Sequence, residues 1–468
     1  MRTYNGMIER SEIHRALKKY FGFDCFKKNQ EDIILSLLSG KDVFVLMPTG
    51  GGKSMCYQLP SLLMQGTAIV ISPLIALMKN QVDAIRHTCE EDGVAHFINS
   101  SLNKSDIDQV KSDILSGKTK LLYVAPESLA KREYVEFLKT IKISFYAVDE
   151  AHCISQWGYD FRSDYLFIGK MRKSLGNPRT LALTATATTQ VIQDIYTFLG
   201  LNKEQTAYFQ GHAFLKNREI DILPVEGLRS KMLSEVLKRV EFPCIVYAST
   251  IKEIEGLKES LLSEEFTKLD TFHSKRHPQD RQIIQQKFFR GDINILLATS
   301  AFGMGINQSN IRTIIHYQLP QTLEDYVQQI GRAGRDLEFS RCIAFVHPDD
   351  FPEMERKIGR SFDVENEEEN EIHQNIKEIA KAFRWNNEQQ KEFMQLQRGR
   401  KLKQLEQIEE FATTSMCKEQ YLAQFFGEKR TEACGKCSSC RHLDLFLLEI
   451  GTKWNEIESR KNSFEESF

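Results

Sequence analysis

Residues 47–54 (MPTGGGKS) have the residue types and spacing of a phosphate-binding loop. Three consecutive glycines allow backbone N–H groups to surround phosphate oxygens without interference from a Cβ atom. The lysine that follows can reach the β- and γ-phosphates, and the serine hydroxyl can bind Mg²⁺. An ordinary glycine-rich turn would not explain that lysine and serine. The predicted ATP contacts are Pro48, Thr49, Gly50, Gly51, Gly52, Lys53 and Ser54, with Met47 at the consensus position of a first glycine.

The adjacent carboxylates of Asp149 and Glu150 could complete such a site. They end the apolar run of FYAVDEAH, and ligands of open α/β sheets bind at the carboxyl ends of strands. Asp149 suits Mg²⁺, directly or through water, and Glu150 is placed to orient and deprotonate an attacking water. Together with the phosphate loop, this pair predicts that ATP is hydrolysed and not only bound.

Four cysteines near the C-terminus could hold a metal ion. Cys434, Cys437 and Cys440 form C-x-x-C-x-x-C, and Cys417 precedes them by sixteen intervening residues. Four thiolates favour a closed, structural zinc site. The triplet also has ferredoxin-like spacing, so an iron–sulfur cluster stays an alternative. The other six cysteines are scattered singly, which is typical of a reducing compartment and of thiols packed in a core.

Short apolar runs separated by helical patterns must position these residues. Such a rhythm predicts an α/β fold with parallel sheets. The runs fall into two series, which predicts two tandem α/β lobes. The first series is DVFVLM, TAIVIS, KLLYVA, FYAVDE and TLALTA, and the second is CIVYAS, KLDTFH, INILLAT, RTIIHY and CIAFVH.

The chain of 468 residues is long enough for about three domains. Beyond Pro348 the pattern becomes helical, and residues 361–371 carry six acids and no base, which favours a solvated linker. The predicted divisions are an ATP-binding lobe (1–205), a second lobe (206–350), a helical linker with the four-cysteine zinc module (351–445) and a short tail (446–468).

Composition excludes several classes of protein. The chain is 41% hydrophobic with a net charge of -2, so any nucleic-acid contact must come from local basic patches. The N-terminus lacks a hydrophobic signal core, and no apolar stretch reaches membrane-spanning length. These features predict a cytoplasmic protein without a membrane segment.

Further motifs surround the two halves of the nucleotide site. FGFDCFKKNQ precedes the phosphate loop, and VISPLIALMKNQV, LLYVAPE, TATA, ATSAFGMGIN and QQIGRAGRD follow it. With MPTGGGKS and DEAH, they resemble the superfamily-two helicases, and within them the RecQ family of DNA helicases, over residues 12 to about 442. The resemblance implies that Gln30 contacts the adenine base, with Lys27 where arginine is more usual. It also implies that Ser72, Pro73 and Thr299 contact a DNA strand.

The segment QQIGRAGRD contains two arginines three residues apart, which we expect on a helix that follows Thr322. A guanidinium suits a transferring phosphoryl group. In the family this segment reaches the nucleotide from the second lobe, so Arg335 is the predicted arginine finger, supported by Arg332 and Gln328. The alternative is a pair of surface arginines bound to acids.

CISQWGYDFRSDY resembles the aromatic-rich loop of the RecQ family. Trp157, Phe161 and Arg162 could offer stacking faces and a cation to unpaired bases. Tyr159 stands where the family has histidine, and Ser163 where it has proline. The alternative is that the two aromatic residues belong to the core. In HAFLKNRE, only Asn217 matches the pattern of the family.

The resemblance implies that the two lobes are RecA-like parallel-sheet lobes. It also implies an ATP-dependent 3′–5′ DNA helicase that acts in DNA repair, recombination or replication restart. Its cofactors would be ATP, Mg²⁺ and Zn²⁺, with Ser54 and Asp149 at the magnesium. Its partners would be single-stranded, tailed or forked DNA, with single-strand-binding or repair proteins as candidate partners of an expected monomer. An RNA helicase is one rival hypothesis. The other is a DNA-stimulated ATPase that serves as a strand-annealing or DNA-binding scaffold with weak unwinding.

Only 28 residues follow Cys440, too few for an independent domain. We therefore expect neither the winged-helix domain nor the helical nucleic-acid-binding domain of longer relatives, and hence weaker unwinding. The leucine-rich tail could cap the zinc module or dock a partner. A basic cluster, Arg398, Arg400, Lys401 and Lys403, could meet DNA phosphates or form a solvated helix face.

Overall fold

The apolar runs of the sequence form two parallel β-sheets in a computed structural model of this chain. The structure describes residues 9–48, 50–73, 75–99, 102–129, 131–155, 162–211, 217–300, 302, 308–363, 371–383 and 385–441. Contacts between Cα atoms divide them into two units, one ending at Gly211 and the other beginning at Asn217. The predicted fold class, two parallel-sheet lobes followed by a helical region with clustered cysteines, is confirmed.

The first unit contains a sheet of seven parallel strands in the order β3-β4-β2-β5-β6-β1-β7. Alternate residues of its strands pack into separate apolar clusters: Phe44 and Leu46 belong to one, Val43 and Val45 to the other. Both faces are therefore buried, as is usual for parallel sheets. The strands are β1 (Val43–Leu46), β2 (Thr67–Ile71), β3 (Ala95–Ile98), β4 (Leu121–Val124), β5 (Ile143–Val148), β6 (Thr180–Thr184) and β7 (Ala207–Gln210).

Helices connect these strands and cover the sheet. Short 3₁₀ turns at Ala151–Ile154 and Ser163–Phe167 follow β5, and a π-helical turn at Leu17–Phe21 follows the first helix. The helices are α1 (Arg10–Ala16), α2 (Gln30–Leu38), α3 (Met55–Leu63), α4 (Ile75–Cys89), α5 (Lys104–Leu115), α6 (Pro126–Leu129), α7 (Arg132–Leu138), α8 (Ile168–Ser174) and α9 (Thr189–Leu199).

The second unit contains six parallel strands in the order β10-β11-β9-β12-β13-β8. The strands are β8 (Arg218–Pro224), β9 (Cys244–Tyr247), β10 (Leu269–Phe272), β11 (Ile295–Ala298), β12 (Thr313–His316) and β13 (Ser340–Val346). The helices among them are α10 (Arg229–Leu237), α11 (Ile251–Ser263), α12 (Pro278–Arg290) and α13 (Leu323–Ile330).

The remainder of the second unit is helical, as the sequence predicts. Its longest element has 27 residues and begins at a capping box, in which the side chains of Asn386 and Gln389 each accept from the other residue's backbone N–H. The helices are α14 (Asp350–Ser361), α15 (Glu371–Phe383), α16 (Asn387–Thr413), α17 (Lys418–Phe425) and α18 (Ser438–Arg441).

Of the thirteen strands in the described part of the chain, ten coincide with the predicted apolar runs, and β3, β7 and β8 were not predicted. Strand β7 lies at the edge of its sheet, and its residues alternate between half-buried and exposed. Strand β8 carries Arg218, Glu219 and Asp221, all of them buried. A strand that contains buried charged residues is not an apolar run, so a search for such runs does not find it. Among the described residues, no helix is long and apolar enough to cross a membrane.

Candidate active site and metal centre

The phosphate loop connects β1 to α3 at the carboxyl edge of the first sheet. Gly50 and Gly52 have φ angles of 82° and 83°, which favour glycine over any residue with a side chain. The Lys53 ammonium donates to the carbonyl oxygen of Met47 at 3.3 Å, so it lies inside the turn. Thr49 lies outside the described residues. The loop therefore has the backbone geometry that a phosphate cradle requires.

The segment that resembles an adenine-contacting motif packs directly against this loop. The Gln30 amide donates to the Gly52 carbonyl at 3.0 Å and accepts from the Lys27 backbone N–H at 2.8 Å. The Lys27 ammonium donates to the Gly50 carbonyl at 3.1 Å. Phe23, in the same segment, is 57% exposed and was not among the predicted contacts. The sequence shows only that this aromatic residue follows Gly22, and its exposure is known from the structure alone.

Asp149 and Glu150 follow β5, two strands away from β1 in the sheet. Glu150 has a φ of 48°, a left-handed conformation that is unusual without glycine and often found at functional sites. Burial, with Glu150 next to it, raises the pKa of Asp149 to about 7, and Lys53 opposes the rise. A carboxylate so desolvated suits a cation, because a divalent ion keeps it ionised.

Tyr57 lies near both of the residues predicted to bind magnesium. Its pKa is raised well above the ordinary value, chiefly by burial and further by Tyr123 and Asp149, while the side chain of Ser54 opposes the rise. Ser54 and Asp149 thus both act on this one side chain. A hydroxyl and a carboxylate are hard oxygen ligands of the kind that Mg²⁺ prefers. The residues present fit the ion.

His152 joins the acid pair to the TATA segment. Its Nδ1 atom lies 2.8 Å from the Thr184 hydroxyl and 3.4 Å from the Glu150 carboxylate. The Thr184 hydroxyl in turn donates to the Thr186 carbonyl at 3.1 Å. The sequence supplied the DEAH and TATA motifs separately, and neither His152 nor Thr184 was a predicted site residue. The order of β5 and β6 in the sheet brings them together.

Of the predicted DNA contacts in the first unit, three are described and lie close together. The Arg162 guanidinium donates to the Pro73 carbonyl at 3.0 Å, and Ser72, which precedes Pro73, is buried. Tyr165 donates through its hydroxyl to the Asp149 carbonyl at 3.0 Å. Trp157 and Phe161 lie outside the described residues. Arg162 thus connects a predicted DNA segment to the vicinity of the acid pair.

The predicted contact Thr299 belongs to the second unit. It follows β11, its backbone N–H donates to the Phe272 carbonyl at 3.3 Å, and its carbonyl accepts from the Phe302 N–H at 3.0 Å.

The helix expected to carry Arg332 and Arg335 begins after Thr322, but it ends before either arginine. Thr322 caps α13, which ends at Ile330, and residues 331–336 form turns. The prediction that both arginines lie on a helix is therefore wrong. Gly331 follows the last helical residue, and Gly334 has a φ of 59°, a value that an α-helix does not contain.

The turn still holds the two arginines near one another. Burial lowers the pKa of Arg335 to about 9, and the charges of Arg332 and Arg218 add to the effect. Arg332 is only 4% exposed, and Gln328 is also buried. The Arg335 Nε–H donates to the Gly331 carbonyl at 3.3 Å. A buried cluster of positive charges is suited to an anion such as a phosphoryl group.

Two residues at the start of β8 fix this turn. Arg218 donates to the carbonyls of Ala333 at 2.9 Å and Gly331 at 3.1 Å. The Asn217 amide donates to the carbonyls of Gly334 at 2.8 Å and Glu338 at 2.6 Å. Asn217 was the single match retained in its segment, but Arg218 was missed because it lies 114 positions before Arg332 in the chain.

The four predicted zinc ligands converge in the second unit. The sulfur atoms of Cys417, Cys434, Cys437 and Cys440 all lie within 4.8 Å of one another. Two sulfur pairs, 434–440 and 417–437, are each 3.9 Å apart. A zinc tetrahedron with bonds of about 2.3 Å has sulfur–sulfur edges of about 3.8 Å. The two short pairs therefore match a zinc tetrahedron, and all four sulfurs are close enough to share one ion.

Backbone amides around the cluster favour thiolates. The N–H groups of Cys434 and Cys437 donate to the sulfurs of Cys417 and Cys434 at 3.2 and 3.3 Å. Lys418 contributes its backbone N–H to Cys437 at 3.4 Å. Its side chain turns away and donates to the carbonyls of Phe411, Ala412 and Thr414 at 2.7–3.1 Å, which caps the end of α16.

Three families match successive parts of the chain. Residues 27–195 match the DEAD/DEAH box helicase family, residues 228–336 match the helicase conserved C-terminal domain, and residues 349–441 match the RecQ zinc-binding family. The last match contains all four cysteines, which confirms the predicted zinc module over the iron–sulfur alternative.

Curated relatives extend over most of the chain. A probable ATP-dependent DNA helicase RecS of Bacillus subtilis is 40% identical over 76% of this chain and 71% of its own length. ATP-dependent DNA helicases RecQ of Bacillus subtilis and Haemophilus influenzae are 36% and 34% identical over 92% and 93% of this chain. The chain spans 67% and 64% of those two proteins.

Solved structures share the fold at lower identity. The DUF1998 helicase MrfA bound to DNA has a TM-score of 0.62 and 17% identity, with coverage of 75% of this chain and 53% of its own. The DEAD-box helicase Mss116 bound to single-stranded RNA has a TM-score of 0.61 and 18% identity, with coverage of 86% and 91%. At such identity the likeness establishes the fold and no more.

Proposed function

The chain belongs to the RecQ family of ATP-dependent DNA helicases, and from that premise we propose that it moves along single-stranded DNA in the 3′ to 5′ direction. One observation supports the coupling of hydrolysis to movement, and the direction is the one that the family resemblance implies. The ends of β1, β5 and β6 bring together a phosphate loop, an acid pair and the Thr184 hydroxyl, and a hydrogen bond from Arg162 extends this group to Pro73. The residues proposed for hydrolysis and those proposed for strand contact are thus connected within one unit.

In the proposed reaction, the loop backbone and Lys53 bind the β- and γ-phosphates. Glu150 orients the attacking water and accepts its proton, and His152 lies beside it with its Nδ1 atom 3.4 Å from the carboxylate. Ser54 and Asp149 hold Mg²⁺. The ion, when bound, neutralises charge on the phosphate oxygens. Gln30 and Lys27 contact the base.

We assign Arg335 to the negative charge that develops on the transferring phosphoryl group. Arg332 and Gln328 support it. The lowered pKa of Arg335 is consistent with this role, because a buried guanidinium crowded by like charges gains most from a bound anion.

The proposed DNA contacts are Ser72, Pro73, Trp157, Phe161, Arg162 and Thr299. A DNA strand that displaced the Arg162 guanidinium from the Pro73 carbonyl would shift the segment between Arg162 and Tyr165. Because the Tyr165 hydroxyl donates to the Asp149 carbonyl, this shift would reach the acid pair. The coupled unwinding would serve DNA repair, recombination or replication restart, with single-strand-binding or repair proteins as partners.

Unwinding of tailed duplexes tests the direction. A duplex with a 3′ single-stranded tail should be unwound when hydrolysable ATP is present, and one with a 5′ tail should not. Lys53→Ala and Glu150→Gln should each lower DNA-stimulated ATPase by at least about 100-fold. Lys139→Gln, which removes an exposed cation paired with Glu136, is the control.

Preference for the 5′ tail would overturn the proposed direction. Persistent ATPase in Glu150→Gln would overturn the assignment of the base. Equal stimulation by RNA and DNA strands would favour an RNA helicase.

A further inference from the structure

A groove between α14 and α16 lies outside the nucleotide site and the metal centre. It encloses about 600 Å³ and contains the cationic side chains of Arg360, Lys391 and Arg398. Phe362 and Met394 supply its apolar lining, and Asp363 is the acid among the lining residues. We call these six residues the α14–α16 groove. Its volume lies within the range of ligand-binding pockets, roughly 300–1,000 Å³.

The three cations of the groove are exposed, and within the described residues none of them forms an ion pair. On α14, which also carries Arg360, the Lys357 ammonium pairs with the Glu353 carboxylate at 2.8 Å. Three unpaired cations facing one acid leave the groove positive, so it is suited to an anionic ligand.

The spacing of the cations suits a polymer of phosphates. Lys391 and Arg398 are seven residues apart on α16, so they lie on the same face and about 10 Å apart along the helix. Arg360 faces them from α14. Successive phosphates of one DNA strand advance by about 3.4 Å along the duplex axis, so a row of this length spans several phosphates. Each arginine can bind a phosphate through two hydrogen bonds.

We propose that the α14–α16 groove binds the phosphate backbone of DNA. The proposal rests on the proposed function, because a protein that moves on DNA meets this ligand at high local concentration. It favours contact with DNA phosphates over a solvated helix face for the basic cluster that contains Arg398. Arg398 lines a groove whose other wall is formed by α14. Contacts of this kind add affinity without sequence preference.

Removal of charge tests the groove. The variant Arg360→Gln/Lys391→Gln/Arg398→Gln should bind DNA about 10- to 100-fold more weakly near 0.1 M salt, and the slope of log affinity against log salt should fall by about 2 to 3. Fluorescence anisotropy of a labelled tailed duplex, over a series of salt concentrations, provides both quantities.

The matched control is Lys139→Gln/Lys238→Gln/Lys357→Gln. It removes the same net charge from three exposed lysines, each of which pairs with a glutamate at 2.8 Å. Its affinity should stay within about threefold of wild type and its salt slope should not change. Equal losses in the two triple variants would show that only net charge matters, and would overturn the groove.

A second substitution acts in the opposite direction. Asp363→Asn removes the acid of the groove, so it should strengthen DNA binding by about two- to fivefold. Partial unfolding would not produce such a gain in affinity. Unchanged or weaker binding in Asp363→Asn, with a normal unfolding temperature, would contradict the proposal even if the triple variant failed to fold.

Tripolyphosphate separates DNA from a soluble phosphate ligand. If the groove serves DNA, tripolyphosphate should compete only at millimolar concentration. Competition at micromolar concentration, lost in the groove variant while DNA binding stays intact, would assign the groove to a soluble ligand and overturn the proposal. Failure of wild type to bind DNA would instead reject the proposed function.

Discussion

At the scale of single residues, the phosphate loop depends on one glycine for two separate reasons. Gly52 has a left-handed backbone, and a methyl group there would overlap the amide nitrogen of Gln30. The same amide donates to the Gly52 carbonyl. The side chain that we assign to the base is thus positioned by the loop that we assign to the phosphates, and a change at either should alter nucleotide affinity.

Gly52→Ala should raise the KM for ATP at least about tenfold, because the added methyl group displaces Gln30 and the backbone strains at positive φ. Gly117→Ala separates these causes. Gly117 has a φ of 76°, but a Cβ there would meet nothing within 4 Å. The control should lose only stability, by about 1 kcal/mol, and keep its KM. Equal KM values for the two variants would contradict the role of Gln30.

Glu324 provides a pH dependence of stability. It is almost fully buried in the first turn of α13, and burial raises its pKa to about 7. Between the ordinary pKa of 4.5 and about 7, the unfolded chain loses this proton while the folded chain keeps it. The folded state is therefore destabilised progressively as the pH rises through that window, and the cost is constant above it.

Glu324→Gln should remove this cost. The variant and wild type should have similar free energies of unfolding near pH 4.5, apart from the change of side chain itself. The difference should then grow in favour of the variant by up to about 3 kcal/mol at pH 7.5. Urea unfolding at several pH values measures it. A difference that does not vary with pH would show that the pKa of the Glu324 carboxyl group is not raised in the folded protein.

At the scale of elements, a column of aromatic rings connects the sheet of the second unit to the cysteine module. Ring centroids of Tyr247 and His316 are 5.5 Å apart, those of His316 and Tyr326 5.0 Å, and those of Tyr326 and Phe411 5.2 Å. Phe411 lies 5.7 Å from Tyr421. Burial lowers the pKa of His316 to about 4, so its ring stays neutral within the column.

Phe411→Ala should destabilise the protein by about 3–5 kcal/mol, because the ring is fully buried between α13 and α17 and its removal leaves a cavity. Phe289→Ala on α12 removes the same side chain from a position that is 43% exposed, and it should cost about 1 kcal/mol or less. Thermal or denaturant unfolding compares the two. Similar losses would show that the column contributes no more than an ordinary surface contact.

The same elements show what a sequence can and cannot predict. Residues adjacent along the chain, such as those of the phosphate loop and DEAH, could be predicted as a site because their chemistry and their spacing are local. The prediction of a helix at Arg332 and Arg335 was wrong, because the spacing of the arginines does not indicate that Gly334 adopts a left-handed conformation. Arg218 was missed because its partners are carbonyl oxygens, which every residue has and no motif records.

At the scale of the whole molecule, charged contacts join the metal centre to the sheet of the second unit. Arg441, next to the ligand Cys440, donates to Asp221 of β8 at 2.6 Å and contacts Glu219 at 3.1 Å. The Ser438 hydroxyl accepts from the Ile222 backbone N–H at 3.2 Å. Strand β8 is an edge of its sheet, so α18 satisfies a backbone group that would otherwise face solvent.

Removal of zinc by a chelator should therefore break the contacts that Ser438 and Arg441 make with β8. Amide hydrogen exchange at Ile222 should accelerate by at least about tenfold, since α18 depends on the metal for its position. Strand β10, at the opposite edge, is the internal control and should keep its exchange rates. Equal acceleration at both edges would indicate global unfolding, and no acceleration at Ile222 would show that α18 folds without the metal.

The hydrogen bond between Ile222 and Ser438 has a consequence for the handling of the protein. An uncovered edge strand can pair with the same strand of another molecule and start a growing assembly. Oxidation of the four thiols, by uncovering β8, should then appear first as turbidity of stored samples rather than as slower turnover. The metal centre would in that case protect solubility, and a reducing agent in the buffer would extend shelf life without altering the chemistry of ATP.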